Sequence, residues 1–119
     1  MERQEKGKLG EAVAARYYLN RGYWLLEHNY KTRQGELDLV LQKDAKIVIA
    51  EIKFRTSGAW YEPKEAVTPM KQTRIILAAQ RYLQTHRLLE HEVRFDVVEV
   101  TPNPQGGFNV HCIMDAFQL

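Results

Sequence analysis

Cysteine is nearly missing from this chain of 119 residues: Cys112 stands alone, which excludes an internal disulfide and fits a reducing, cytoplasmic setting. No apolar run is long enough to span a bilayer. The charged start Met1-Glu2-Arg3-Gln4-Glu5-Lys6 is followed by no apolar core of a secretory signal, so the expectation is a cytoplasmic protein with no membrane attachment. The four histidines, His28, His86, His91 and His111, show no ligand spacing, which argues against a zinc centre. Repeats, low-complexity tracts and domain linkers are missing too. So is a strong excess of one charge. A net +2 and a pI near 8.7 are compatible with a nucleic-acid partner without requiring one.

What is present is ordinary globular material, 45% hydrophobic and 27% charged, enough for one domain over residues 1–119 with its own core. From about Glu5 to Arg21 the stripe Leu9, Ala12, Val13, Tyr17 predicts a helix, stopped at Gly22. Tyr23 to Tyr30 alternates as a strand, and Lys31-Thr32-Arg33-Gln34-Gly35 is a polar turn. Thr68 and Pro69 are an N-cap and first helical position, opening a helix to about His86 with Ile75, Ile76, Ala79, Tyr82 and Leu83 facing the core. Val93–Val100 predicts another strand, and Phe108–Met114 a last short one beyond a Pro- and Gly-rich turn.

The centre of the chain is the stretch Gly35–Lys53. Leu37, Leu39 and Leu41 alternate against Glu36, Asp38 and Val40, while Val48, Ala50, Ile52 and Phe54 alternate against Ile47, Ile49, Glu51 and Lys53. With Asp44-Ala45 as a two-residue turn, position 41 pairs with 48, 40 with 49 and 39 with 50. Asp38 then faces Glu51, and Glu36 faces Lys53. Like charges directly opposed across a hairpin repel, and a hard divalent cation such as Mg²⁺ offsets that repulsion. With the Lys53 ammonium on the same face, a phosphodiester could lie against the pair while water attacks. The alternative is a solvated hairpin end in which Lys53 neutralises Glu36.

Two further stretches bear on nucleic acid. The loop from Phe54 to Pro63 could touch phosphates through Arg55 and stack a base on Trp60 or Tyr61; otherwise its aromatics cover the edge of the core. On the second helix Lys71, Arg74 and Arg81, with Ala78 among them, share one face. This stripe becomes a phosphate track if it borders the acids.

A helix, three antiparallel strands, a helix and a strand, with Asp38 on strand two and Glu51-Ile52-Lys53 on strand three, resemble the restriction-endonuclease-like fold of the PD-(D/E)xK nucleases. That is an α/β fold with an α-β-β-β-α-β core and a central mixed sheet flanked by helices. Gly10-Glu11, Gly22, Gly35-Glu36-Leu37-Asp38-Leu39, Glu51-Ile52-Lys53-Phe54-Arg55, Glu65-Ala66-Val67, Lys71-Gln72 and Arg94-Phe95-Asp96-Val97-Val98 are similar to the bacterial YraN family, endonuclease-like by its relation to archaeal Holliday-junction resolvases. The resemblance implies a Mg²⁺- or Mn²⁺-dependent DNA endonuclease acting on branched or repair intermediates, with a homodimer as the matching assembly. It implies Asp38, Glu51 and the Ile52 carbonyl as metal ligands, Lys53 as the residue that handles the attacking water, and Glu11 as a helix-borne acid near the metal. Glu36 has no assigned role. A nucleic-acid-binding module that keeps the fold but cuts nothing alone is the alternative, and a purely structural domain is a third reading.

Overall fold

The computed structural model describes residues 3–56 and 67–118. Its elements are α1 (Arg3–Leu19), β1 (Trp24–Lys31), β2 (Glu36–Lys43), β3 (Lys46–Phe54), α2 (Pro69–Thr85), β4 (Glu92–Pro102) and β5 (Phe108–Phe117). The five strands form one mixed sheet in the order β1-β2-β3-β4-β5. β3 and β4 are parallel, and the other neighbouring pairs are antiparallel. α2 lies in the connection between the parallel pair, as a crossover requires. No helix among the described residues is long and apolar enough to cross a membrane.

Each face of the sheet carries its own core. Leu39, Leu41, Val48, Ala50, Val98 and Val100 pack under Ala14 and Tyr18 of α1. Val40, Ile47, Ile49, Phe95 and Val97 pack under Ile75, Ala79, Tyr82 and Leu83 of α2. β3 and β4 are therefore covered on both sides, which suits a parallel pair. The two faces expected for β3 hold. So does the cap of α2, where the Thr68 hydroxyl accepts from the Lys71 amide and Pro69 stands in the first turn.

Three expectations change. The buried stripe of α1 runs through Gly10, Ala14 and Tyr18, while Ala12 is exposed. Small residues let the helix approach the sheet closely: a Cβ on Gly10 would come within 3.3 Å of Phe54. Leu37 leaves the face of Leu39 and Leu41 and joins the core under α2. The switch coincides with Asn29, at φ 52°, which lies between the pairs His28/Leu39 and Tyr30/Leu37. Finally, Ala78 is fully buried, so the basic stripe of α2 is interrupted by a core residue too small to reach past its neighbours.

Candidate functional site

β2 and β3 pair from Lys43/Lys46 through Leu39/Ala50, around the Asp44-Ala45 turn. The ladder ends there, so the facing pairs expected for Asp38/Glu51 and Glu36/Lys53 do not form; Glu36 is instead opposite Lys31 of β1. Where the ladder stops, the amide of Ile52 donates to Asp38 Oδ2 at 2.9 Å. A side chain thus takes the place of a strand backbone, and a fork opens between β2 and β3. Because the amide and carbonyl of one strand residue point to the same side, the Ile52 carbonyl also points toward this fork.

On the α2 face of β3 the apolar Ile47 and Ile49 give way to Glu51, Lys53 and Arg55. Glu51 is 6% exposed. Its Oε1 lies 3.7 Å from Lys53 Nζ and 3.7 Å from Lys71 Nζ of α2. Both separations exceed the roughly 2.7–3.2 Å of a direct N–H···O hydrogen bond, so neither ammonium neutralises the acid closely. Burial, then the charge of Asp38, raise the Glu51 pKa to about 7, against the opposing pull of Lys71 and Lys53. Burial also raises Asp38, against the hydrogen bond from Ile52 and the charge of Lys71. Both acids thus hold protons above their ordinary range, chiefly because burial penalises their charged forms.

Glu11 on α1 is raised as well, by burial and then by Asp38, with a hydrogen bond to Asn29 opposing. Asp38 is therefore felt from α1 through Glu11 and from α2 through Lys71. Among the described residues no three His, Cys, Asp or Glu side chains converge as a metal-binding group; Glu11 is a neighbour of the carboxylate pair rather than a third member. The donor set that remains, two carboxylates and a backbone carbonyl, fits Mg²⁺, which keeps several waters and often takes only one or two protein carboxylates.

Glu99 escaped the sequence reading. It is the parallel partner of Lys53, is fully buried, and accepts from Arg55 Nε at 2.7 Å through Oε2. Its Oε1 has no hydrogen-bond partner among the described residues. The alternation of β4 places position 99 on the face of Phe95 and Val97, which could have flagged an acid in an apolar row. Glu99, opposite Lys53 in the parallel register, thus holds the Arg55 guanidinium. Lys71 and Arg74 line a cleft with Glu36, and Arg81 lines a neighbouring one. Trp60 and Tyr61 lie outside the described residues.

The five-stranded mixed sheet with a helix on each face defines an α/β fold consistent with a restriction-endonuclease-like core. Residues 10–100 match a family described as "Uncharacterised protein family UPF0102", and the chain belongs to this UPF0102 (YraN) family. Its similarity to curated members extends over nearly the whole chain. A "UPF0102 protein" of Syntrophus aciditrophicus is 45% identical over 113 residues, 95% of this chain and 88% of the relative. One from Syntrophomonas wolfei is 42% identical over 114 residues, 96% and 98% of the respective chains.

Proposed function

We propose that this protein hydrolyses phosphodiester bonds in DNA with a divalent cation, Mg²⁺ or Mn²⁺, held by Asp38, Glu51 and the Ile52 carbonyl. The observation that carries this reading is the pair of half-buried Asp38 and buried Glu51, with the Lys53 and Lys71 ammonium groups standing 3.7 Å from Glu51. When bound, such a cation supplies charge neutralisation and a water of lowered pKa. Lys53 Nζ orients the attacking water and stabilises charge gathering on the phosphoryl oxygens. Arg55, fixed by Glu99, and Lys71 hold the flanking phosphates. Branched or repair intermediates are the substrates and a homodimer the assembly that suit this reading, since a two-fold substrate suits a two-fold enzyme.

One observation favours a second reading, a nucleic-acid-binding module that does not cut alone: only two acids converge among the described residues, so a further carboxylate ligand would come from a partner. Cleavage of end-labelled linear, flapped and four-way-junction DNA in Mg²⁺ or Mn²⁺ separates the two. Asp38→Asn, Glu51→Gln and Lys53→Ala are each expected to slow cutting by about a hundredfold or more while circular dichroism stays unchanged. Variants that cut like the wild type would remove the site. A folded wild type that cuts nothing, and whose melting temperature ignores both cations, would select the second reading.

A further inference from the structure

The carboxylate pair is one end of a longer basic surface. The β1–β2 turn is pinned by Thr32, whose hydroxyl oxygen accepts from the Gln34 and Gly35 amides at 3.1 Å each. The turn rests on α2 at Gly35, where an added Cβ would lie 2.7 Å from the Arg74 carbonyl oxygen. This close seat leaves a cleft of about 480 Å³ on one side of the turn, between Glu36, Lys71 and Arg74. A second, of about 540 Å³, opens on the side of Tyr30 and Arg81. Lys31 and Arg33 line both. Five cations and one acid, Glu36, thus border these two adjoining clefts, taken together as a trough.

The cations are held ready. Lys31, Arg33, Arg74 and Arg81 are exposed, and none of them makes an ion pair among the described residues. Lys71 joins the two regions, because it lines the trough and also faces Glu51. The first two turn amides after Arg33 are spent on Thr32, so the trough offers side-chain charge rather than a backbone nest. From Lys71 to Arg81 the helix rises by about 15 Å. Phosphates on one strand of a duplex advance by about 3.4 Å each along the axis, so the trough matches roughly four nucleotides.

We infer that the trough between the β1–β2 turn and α2 binds the sugar-phosphate backbone of one nucleic-acid strand, over about four nucleotides leading away from the carboxylate pair. This rests on the hydrolytic reading of that pair for its direction, but binding is measurable without cutting. Spaced side-chain cations around an open trough suit a polyanion and give a lone phosphate no enclosing cage. The contacts are to phosphate, so they position the strand without reading its bases.

The test is fluorescence anisotropy of a labelled 20-base-pair DNA duplex with the wild type in EDTA, over a salt series, with the same sequence as RNA duplex in a parallel arm. Lys31→Ala/Arg33→Ala and Arg81→Ala are compared with Lys43→Ala/Lys46→Ala at the other end of β2. Each trough cation removed should make the log–log salt slope shallower by about one, whereas the Lys43/Lys46 control should leave it nearly unchanged. Millimolar inorganic phosphate should fail to displace the duplex. Slopes that fall equally in trough and control variants, or displacement by phosphate alone, would overturn the trough. Preference between the DNA and RNA arms names the strand it takes. If trough variants lose binding while the wild type cuts nothing in Mg²⁺ or Mn²⁺, the trough stands and the hydrolytic reading falls. Cutting with unaltered slopes gives the reverse result.

Discussion

Two acidic centres, each with a buried carboxylate, lie on opposite faces of this sheet, and they are solved in opposite ways. Under α1, Asp96 is fully buried and amply supplied. Arg94 donates through Nε at 2.8 Å and Nη2 at 3.0 Å, Tyr18 through its hydroxyl at 2.7 Å, and the Asp115 amide at 3.1 Å. Burial works against the Arg94 charge, yet its hydrogen bonds to Asp96 and Tyr23 raise its pKa; the Tyr18 hydroxyl is pushed up by burial and by the Asp96 charge. Near α2, Asp38 and Glu51 repel each other, and the two lysines that face Glu51 remain at 3.7 Å. Burial of an acid is thus a poor guide to function. What separates a structural acid from a candidate site is whether the fold supplies its counter-charge.

The contrast breaks most visibly if Asp96 is removed. Asp96→Ala leaves Arg94, whose side chain is 14% exposed, without its buried partner, and a loss of about 3–5 kcal/mol in urea unfolding is expected. A loss near zero would mean that the two acidic centres are alike in energy.

Glu51→Gln should act with the opposite sign. Glu51 holds its proton to about pH 7 in the folded chain, against 4.5 as its ordinary value, so its contribution to stability is full below pH 4.5 and is lost as pH rises toward 7. The amide removes that dependence. At pH 8 the variant should therefore be more stable than the wild type by about 1–3 kcal/mol, with the two converging near pH 4.5. Urea midpoints taken from pH 4 to pH 8 give the comparison, and a variant less stable throughout would show that Lys53 and Lys71 already compensate the acid.

The smallest change is Tyr18→Phe, which removes one of the donors on Asp96 while leaving Arg94 and the Asp115 amide in place. A cost of about 1–2 kcal/mol is expected. A cost as large as that of Asp96→Ala would mean that the hydroxyl, rather than the guanidinium, carries the centre.

Much of the site's framework was readable locally. Alternation and a two-residue turn placed Leu39 opposite Ala50 and Ile49 opposite Val40, as observed, because a slip of one residue would turn apolar side chains out of a buried face. Thr68 and Pro69 marked the start of α2 for equally local reasons. Alternation could not register the left-handed backbone at Asn29, so it carried Leu37 onto the wrong face, and it extended the ladder past Ala50. Helical period alone placed the α1 stripe one position away from Gly10, Ala14 and Tyr18, because nothing local reveals how closely a helix will sit on a sheet.

By itself, then, the sequence determined the elements, the faces of β3, the register of the central hairpin and the acid, acid-x-lysine pattern, all products of short-range period and turn chemistry. Tertiary structure decided the rest. It brought β4 alongside β3, so that a fully buried Glu99 stands next to Lys53 and grips Arg55. It set Lys71 of α2 against Glu51 of β3 and let Asp38 cap Ile52 where the ladder ends. Those relations depend on which distant charges share a desolvated space, and that is fixed only when the helices pack and water leaves.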